Sequence, residues 1–228
     1  MRLLSADTLR LLVPALSLAV LLAAVFWLQP RTMSYTGLNL LFNLAVPIAL
    51  ATIAQMLIMM VNDLDLSMGT FVSFVACVTA TFLNTDPLIG VLILAGCIAL
   101  YAALGVVIYL RNLPSIVVTL GMSFVWGGLA VLMLPSPGGA SPEWIRWLMT
   151  SKPPLVPMAI VASVVIAIVA HWLGMRSSFG VVLRGVGDNQ RSVERAGWSI
   201  VRARAAAYAL AGFFAVLAGM ALVGLTTS

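Results

Sequence analysis

Only 19 of the 228 residues are charged, and the chain runs uncharged for 20 residues or more seven times between them. The uncharged windows are Leu11–Pro30, Thr32–Asn62, Leu66–Thr85, Pro87–Leu110, Asn112–Pro142, Pro153–Met175 and Ala205–Ser228. About 20 apolar residues in a helix cross the hydrocarbon core of a bilayer, so each window is long enough for one span. Hydrocarbon offers no hydrogen-bond partners, which leaves helices or a closed barrel as the possible spanning structures. Barrel strands need only about 10 residues of alternating polarity. Windows of this length, in a chain that is 62% apolar, select helices. The expectation is an all-α fold: a polytopic transmembrane helical bundle of about seven spans, forming one membrane domain over residues 1–228.

The spans are placed at Leu11–Leu28, Leu38–Val61, Ser67–Leu83, Leu88–Leu110, Ser115–Leu134, Leu155–Leu173 and Ala203–Leu225. The first follows MRLLSADTLR and lacks a small-x-small cleavage site, so it reads as a retained span rather than a signal peptide. The net charge is +5, and its distribution matters more than its size. With the N-terminus inside and the sides alternating, nine of the 12 Lys and Arg residues fall inside; Arg31, Arg146 and Lys152 fall outside. Cytoplasmic loops carry the excess of Lys and Arg, so the N-terminus is expected in the cytoplasm. The basic balance expresses topology and requires no nucleic-acid partner. Cys77 and Cys97 fall within spans, where cysteine packs as a small polarizable apolar residue.

Two polar segments stand out. Asn62-Asp63-Leu64-Asp65-Leu66-Ser67-Met68-Gly69 sets two carboxylates between long apolar runs. A charge at membrane depth costs about 3 kcal/mol, so both must reach water or be paired. Two readings are open. Asp65 or Ser67 caps the third helix by accepting from free backbone N–H groups, or the segment is a polar break that lines a pathway or contacts a partner.

The second segment runs from Gly174 to Arg204 and holds eight of the 19 charges. After Asp188 or Asn189, both common N-caps, Gln190–Arg195 reads as a short helix that Gly197 stops. Such a helix is a compact object for docking on another protein. Elsewhere, Trp144 and Trp147 mark a short interfacial helix around Glu143–Met149. Ala207, Ala211, Ala215 and Gly219 lie four apart on one face of the last span, a spacing that lets membrane helices approach closely.

Asp65-Leu66-Ser67-Met68-Gly69 resembles the D-L-S-x-G signature of ATP-binding-cassette (ABC) importer permeases of the ribose and monosaccharide branch, a family that also holds branched-chain amino-acid permeases. Arg176-Ser177-Ser178-Phe179-Gly180 is similar to the R-T-x-F-G approach to that family's coupling loop. Gly187, Asn189, Ala196 and Gly197 match its G-x-N and A-x-x-S-G-I patterns. Tyr208, Gly212, Ala215, Ala218 and Gly219 match Y-x-x-S-G-x-x-A-x-x-A-G. The matches keep the family's order from about residue 38 to 225. Trp198 and Ala211 stand where the family usually has isoleucine and serine, and Asn62-Asp63-Leu64 where a glycine pair is usual. The family continues with further spans beyond the position of Ser228, so the resemblance implies a fragment, a C-terminally truncated gene product or a divergent short permease.

The resemblance implies a division of labour. A periplasmic binding protein delivers a monosaccharide to a dimer of permease subunits in the bacterial inner membrane, and two cytoplasmic ATPase subunits drive alternating access. Gly187, Asp188, Asn189, Arg191, Glu194, Arg195, Ala196 and Gly197 would form the contact with the ATPase, within a cytoplasmic coupling loop over residues 174–204. Asp63, Asp65, Ser67 and Gly69 would hold the break before the third helix. The residues themselves agree that this chain cannot hydrolyse ATP. It has no G-x-x-x-x-G-K-[ST] phosphate loop, and its one lysine, Lys152, is outside. ATP would be bound by the partner subunits, with no cofactor, metal site or catalytic residue in this chain.

Asn39, Asn43, Gln55, Ser73, Thr119, Ser123 and Trp126 are the polar and aromatic candidates within spans; Asn43, Gln55 and Ser123 are placed on the substrate pathway. The single histidine, His171, reads as an interface residue. Two alternatives stay open: a permease for branched-chain amino acids or nucleosides, and an ATP-independent carrier or channel.

Overall fold

The computed structural model describes residues 6–226 other than Pro137, Lys152, Pro154, Leu155 and Pro157, with side chains from Leu12 onward. It contains helices α1 (Ala6–Leu28), α2 (Tyr35–Met60), α3 (Met68–Val78), α4 (Pro87–Leu110), α5 (Ser115–Met133), α6 (Glu143–Thr150), α7 (Met158–His171), α8 (Ser178–Asp188), α9 (Gln190–Arg195) and α10 (Ile200–Thr226). A 3₁₀ turn, Pro30–Met33, precedes α2. Single π-helical turns extend α3 over Thr79–Leu83 and α7 over Trp172–Arg176. No strand occurs among the described residues.

Among the described residues, five helices are long and apolar enough to cross a membrane: α2, α4, α5, α7 with its π turn, and α10. The other two expected spans are represented by shorter apolar helices, Leu12–Leu28 and Met68–Leu83. The expected helix at Glu143–Met149 is present as α6. Its Ile145 and Met149 pack on Gly224 of α10, and its Trp144 and Trp147 stay exposed.

Side chains set the starts of several helices. Ser34 accepts from the Gly37 N–H, Asp86 from Ile89 ahead of Pro87, Ser177 from Gly180 and Asn189 from Ser192. Each satisfies one of the orphan donors of a first turn.

The last helix, α10, is the centre of the bundle and packs chiefly along α2 and α4. Its small-residue face is what allows this. Ala207, Ala211 and Ala215 are fully buried. A Cβ on Gly219 would come within 2.5 Å of Val75 Cγ1. Close backbone approach gains van der Waals contact, the main packing force between helices in lipid. Cys77 and Cys97 are free thiols.

The segment 178–188 departs from the expectation. It reads as loop in the sequence because Gly180, Gly185 and Gly187 punctuate it, yet it forms α8. Its glycines are there for proximity: a Cβ on Gly180 would lie 2.2 Å from the Leu173 carbonyl oxygen, and one on Gly187 2.3 Å from that of Met60. The span that follows also starts earlier than expected, at Ile200.

Candidate functional site

The ends of α2, α4 and α9 and the starts of α3, α5 and α10 meet at one pole of the bundle. The three helices that finish there do so in the same way. Asp63 N–H bonds to Ile58 O and Asn62 N–H to Met59 O; Leu113 bonds to Ile108 and Asn112 to Tyr109; Trp198 bonds to Val193 and Gly197 to Glu194. These are Schellman terminations. The left-handed residue each requires is Asn62 (φ 62°), Asn112 (φ 49°) or Gly197 (φ 86°). Asparagine tolerates that region better than most residues.

From Asn62 the chain runs extended into α3 with an inverted pattern. Asp63, Asp65 and Ser67 are buried, and Leu64 and Leu66 between them are exposed. The backbone is held against the start of α5. Leu64 N–H donates to Ser115 Oγ at 3.1 Å, Leu66 N–H to Thr119 Oγ1 at 3.1 Å, and Thr119 Oγ1 donates to Leu64 O at 3.2 Å. The period of two therefore turns all three polar residues inward.

Each carboxylate has its own partners. Asp65 accepts from Ser67 N at 2.7 Å, Ser67 Oγ at 2.6 Å and Tyr101 Oη at 2.7 Å. Of the two capping candidates, it is thus Asp65 that accepts a backbone N–H; Ser67 donates to it and makes no side-chain cap of α3. The Tyr101 ring packs on Phe71, centroids 4.4 Å apart, within an aromatic group that includes Trp126. Asp63 accepts from Arg204 Nη1 at 2.5 Å and from Tyr208 Oη at 3.0 Å. Arg204 also lies 5.3 Å from the centre of the Tyr109 ring, within cation–π range. Arg204 and Tyr208 are one turn apart on α10 and share a face. Burying either charge alone would be costly; here each is matched by charge or hydroxyl donors.

Removing one donor should be measurable. Tyr101→Phe keeps the ring but leaves Asp65 short of a buried hydrogen bond, so it is expected to destabilise by about 1–3 kcal/mol. Thermal unfolding in detergent checks this; an unchanged midpoint would contradict it.

The residues of the second motif sit on the surface of the same pole. Val193 alone anchors α9: it is buried, and its Cγ2 lies where a Cβ on Gly185 would come within 2.8 Å. Arg191, Glu194, Arg195, Ala196 and Gly197 are exposed. Asp188 ends α8, and Asn189 caps α9 by accepting from Ser192 N at 3.2 Å. Gly187 seats α8 on the end of α2. Gly69 is exposed, with open space where a Cβ would be.

The three pathway candidates are not brought together. Asn43 borders an apolar cavity of about 280 Å³ between α2, α6, α7 and α10. Gln55, roughly 120° further round α2, borders an open groove with Met56, Met59 and Met68. Ser123 on α5 donates to Leu120 O of its own helix at 2.6 Å. The sequence reading also left out Tyr101, Tyr109, Arg204 and Tyr208 as site residues. The one signal available for them was an arginine at i and a tyrosine at i+4 opening an apolar helix.

A family model described as "Branched-chain amino acid transport system / permease component" matches residues 37–228. Among similar curated proteins is the "Autoinducer 2 import system permease protein LsrC" of Escherichia coli O157:H7, 28% identical over 216 residues, which cover 89% of this chain and 61% of the relative. The protein of the same name from Salmonella typhimurium is 27% identical over 203 residues, covering 85% and 57%. The chain thus spans about six-tenths of the length of these relatives. No solved structure matches it. The matched region takes in the Asp63–Gly69 segment, α8, α9 and the whole of α10, which bears out the resemblance read from those motifs: the chain belongs to the family of permease components of branched-chain amino-acid-type transport systems.

Proposed function

We propose that this chain is the membrane permease subunit of an ABC importer, moving a monosaccharide-like solute across the bacterial inner membrane. The observation that carries the reading is the family match over residues 37–228, together with a short, exposed, charged helix seated on the buried pole of the bundle. The curated relatives named above are autoinducer 2 import permeases, which favours a small solute of the sugar branch over a branched-chain amino acid. In this reading the chain has seven spans with the N-terminus in the cytoplasm. The five long helices and the two shorter apolar ones supply them, and residues 1–228 act as one permease domain.

The buried pole then faces the cytoplasm, and residues 174–204 form the coupling loop. Arg191, Glu194 and Arg195 on α9 contact an ATPase subunit, and the seating of Gly187 on α2 carries its push into the bundle. ATP is bound by the partner subunits. A periplasmic binding protein delivers solute at the far side to a dimer of permease subunits. The bundle alternates between two packed states by rigid-body motion, which is transport and not catalysis.

The test is co-purification from the native membrane. An ATPase subunit is expected with the chain, and replacing Asp188–Gly197 by a neutral linker should reduce its recovery about tenfold or more, as for a loss of about 1.4 kcal/mol of docking energy. Uptake of labelled ribose by the same membranes should fall with it. Undiminished ATPase recovery by the linker variant would overturn the coupling assignment. Absence of any ATPase from the unsubstituted complex would favour a carrier that works without ATP.

A further inference from the structure

Two contacts tie α8 and the start of α10 to the end of α2, and a third holds α9 on α8. Gly187 lies against the Met60 carbonyl, Val193 against Gly185, and Arg204 against Asp63. The Gly187 and Val193 contacts are steric. The Arg204 contact is different in kind. The Asp63–Arg204 pair borders a polar cleft of about 270 Å³ shared with Asn62 after α2, Asn112 between α4 and α5, Ser115 at the start of α5, and Gln190 at the start of α9. Arg204 uses Nη1 for Asp63 and Nη2 for the Val61 carbonyl at 3.4 Å, and its buried Nε–H has no partner. An arginine with a spare donor, beside amide and hydroxyl acceptors on three other segments, can give up one partner and take another.

We propose that Asp63 and Arg204 are positioning residues for transport: an exchangeable ion pair that ties α10, and through it α9, to the end of α2. The inference rests on the importer reading above. A push delivered at α9 moves the start of α10, and the pair passes that movement to α2 and to the segment leading into α3. Coupling between distant sites needs an element with two discrete arrangements that both sites can bias. A buried ion pair with a spare donor beside a polar cleft can supply such an element; an apolar contact in its place cannot. Apolar replacement of a buried pair is often neutral or stabilising for the fold, so stability and coupling can be separated experimentally.

The experiment uses the complex purified from its native membrane and placed in liposomes, with ATP hydrolysis and labelled ribose uptake measured on the same vesicles. For Asp63→Leu/Arg204→Met, ATPase recovery is expected to match the unsubstituted complex, and the unfolding midpoint to fall only by what it costs to leave the Tyr208 hydroxyl without its acceptor. Solute moved per ATP should fall about tenfold, inside the 5–150-fold range common for coupling between sites. The charge-swapped Asp63→Arg/Arg204→Asp should recover part of that loss, and it decides the matter if the apolar variant does not fold. An unchanged solute-to-ATP ratio in the apolar variant, or a swap that recovers nothing, would overturn the proposal. If no ATPase accompanies the unsubstituted complex, the importer reading fails first and the proposal fails with it.

Discussion

Asp63→Ala should destabilise the folded chain by about 3–5 kcal/mol, the cost of leaving a buried charge without its partner. Both side chains of the Asp63–Arg204 pair are only 8% exposed, so water cannot compensate Arg204 once the carboxylate is gone. Tyr208 loses its acceptor in the same substitution. Asp63→Asn should cost less, because the amide oxygen still accepts from both partners, although the charge attraction is gone. The order expected is therefore alanine worst, asparagine intermediate, and Asp63→Leu/Arg204→Met mildest. Denaturant or thermal unfolding of the purified chain in detergent ranks them. An alanine variant within about 1 kcal/mol of the unsubstituted protein, the range of exposed pairs, would show that water reaches the pair.

Gly187→Val should break the seating of α8 on the end of α2. Its Cβ would lie 2.3 Å from the Met60 carbonyl oxygen, 3.2 Å from its carbon and 3.3 Å from the Asn62 nitrogen. These are backbone atoms held in the Schellman turn of α2, so no side-chain rotation relieves the clash. Overpacking costs typically about 1–3 kcal/mol and occasionally more, and a rigid backbone contact belongs at the upper end. Either α8 lifts away from α2, taking α9 with it, or the end of α2 unwinds. Lower yield of folded protein and lost ATPase recovery are the expected readouts. Gly69→Ala is the control: its Cβ meets nothing within 4 Å, and alanine in a helix is favoured over glycine by about 0.5–1 kcal/mol. Equal behaviour of the two variants would refute the steric account.

These two glycines show where sequence reasoning stops. Both belong to motifs that resemble family signatures, and nothing in their neighbours says which one touches another helix. Geometry separates them at once: Gly187 is pressed on a carbonyl 127 residues earlier in the chain, whereas Gly69 faces open space. The same limit applies to the pathway candidates. Asn43, Gln55 and Ser123 look alike as polar residues in apolar runs, but they lie on different faces and helices. It applies again to α8, whose glycines read as loop punctuation because their true role is contact with residues outside the segment.

The sequence by itself determined that the chain is helical and of membrane type, since uncharged runs of 20 residues or more leave the backbone no other way to satisfy its hydrogen bonds. It also located the α6 helix, the α9 helix with its Gly197 stop and a cap at Asp188 or Asn189, and the small-residue face of α10, because caps and helical periodicity act over three or four residues. Only the tertiary structure decided that Asp63 pairs with Arg204 and Asp65 with Tyr101, and that the first pair borders a cleft with Gln190 at the start of the helix proposed to meet the ATPase. Those pairings join residues 141 and 36 positions apart. A buried carboxylate must find a donor, but which donor it finds depends on how the helices cross, and no local pattern in the chain records that.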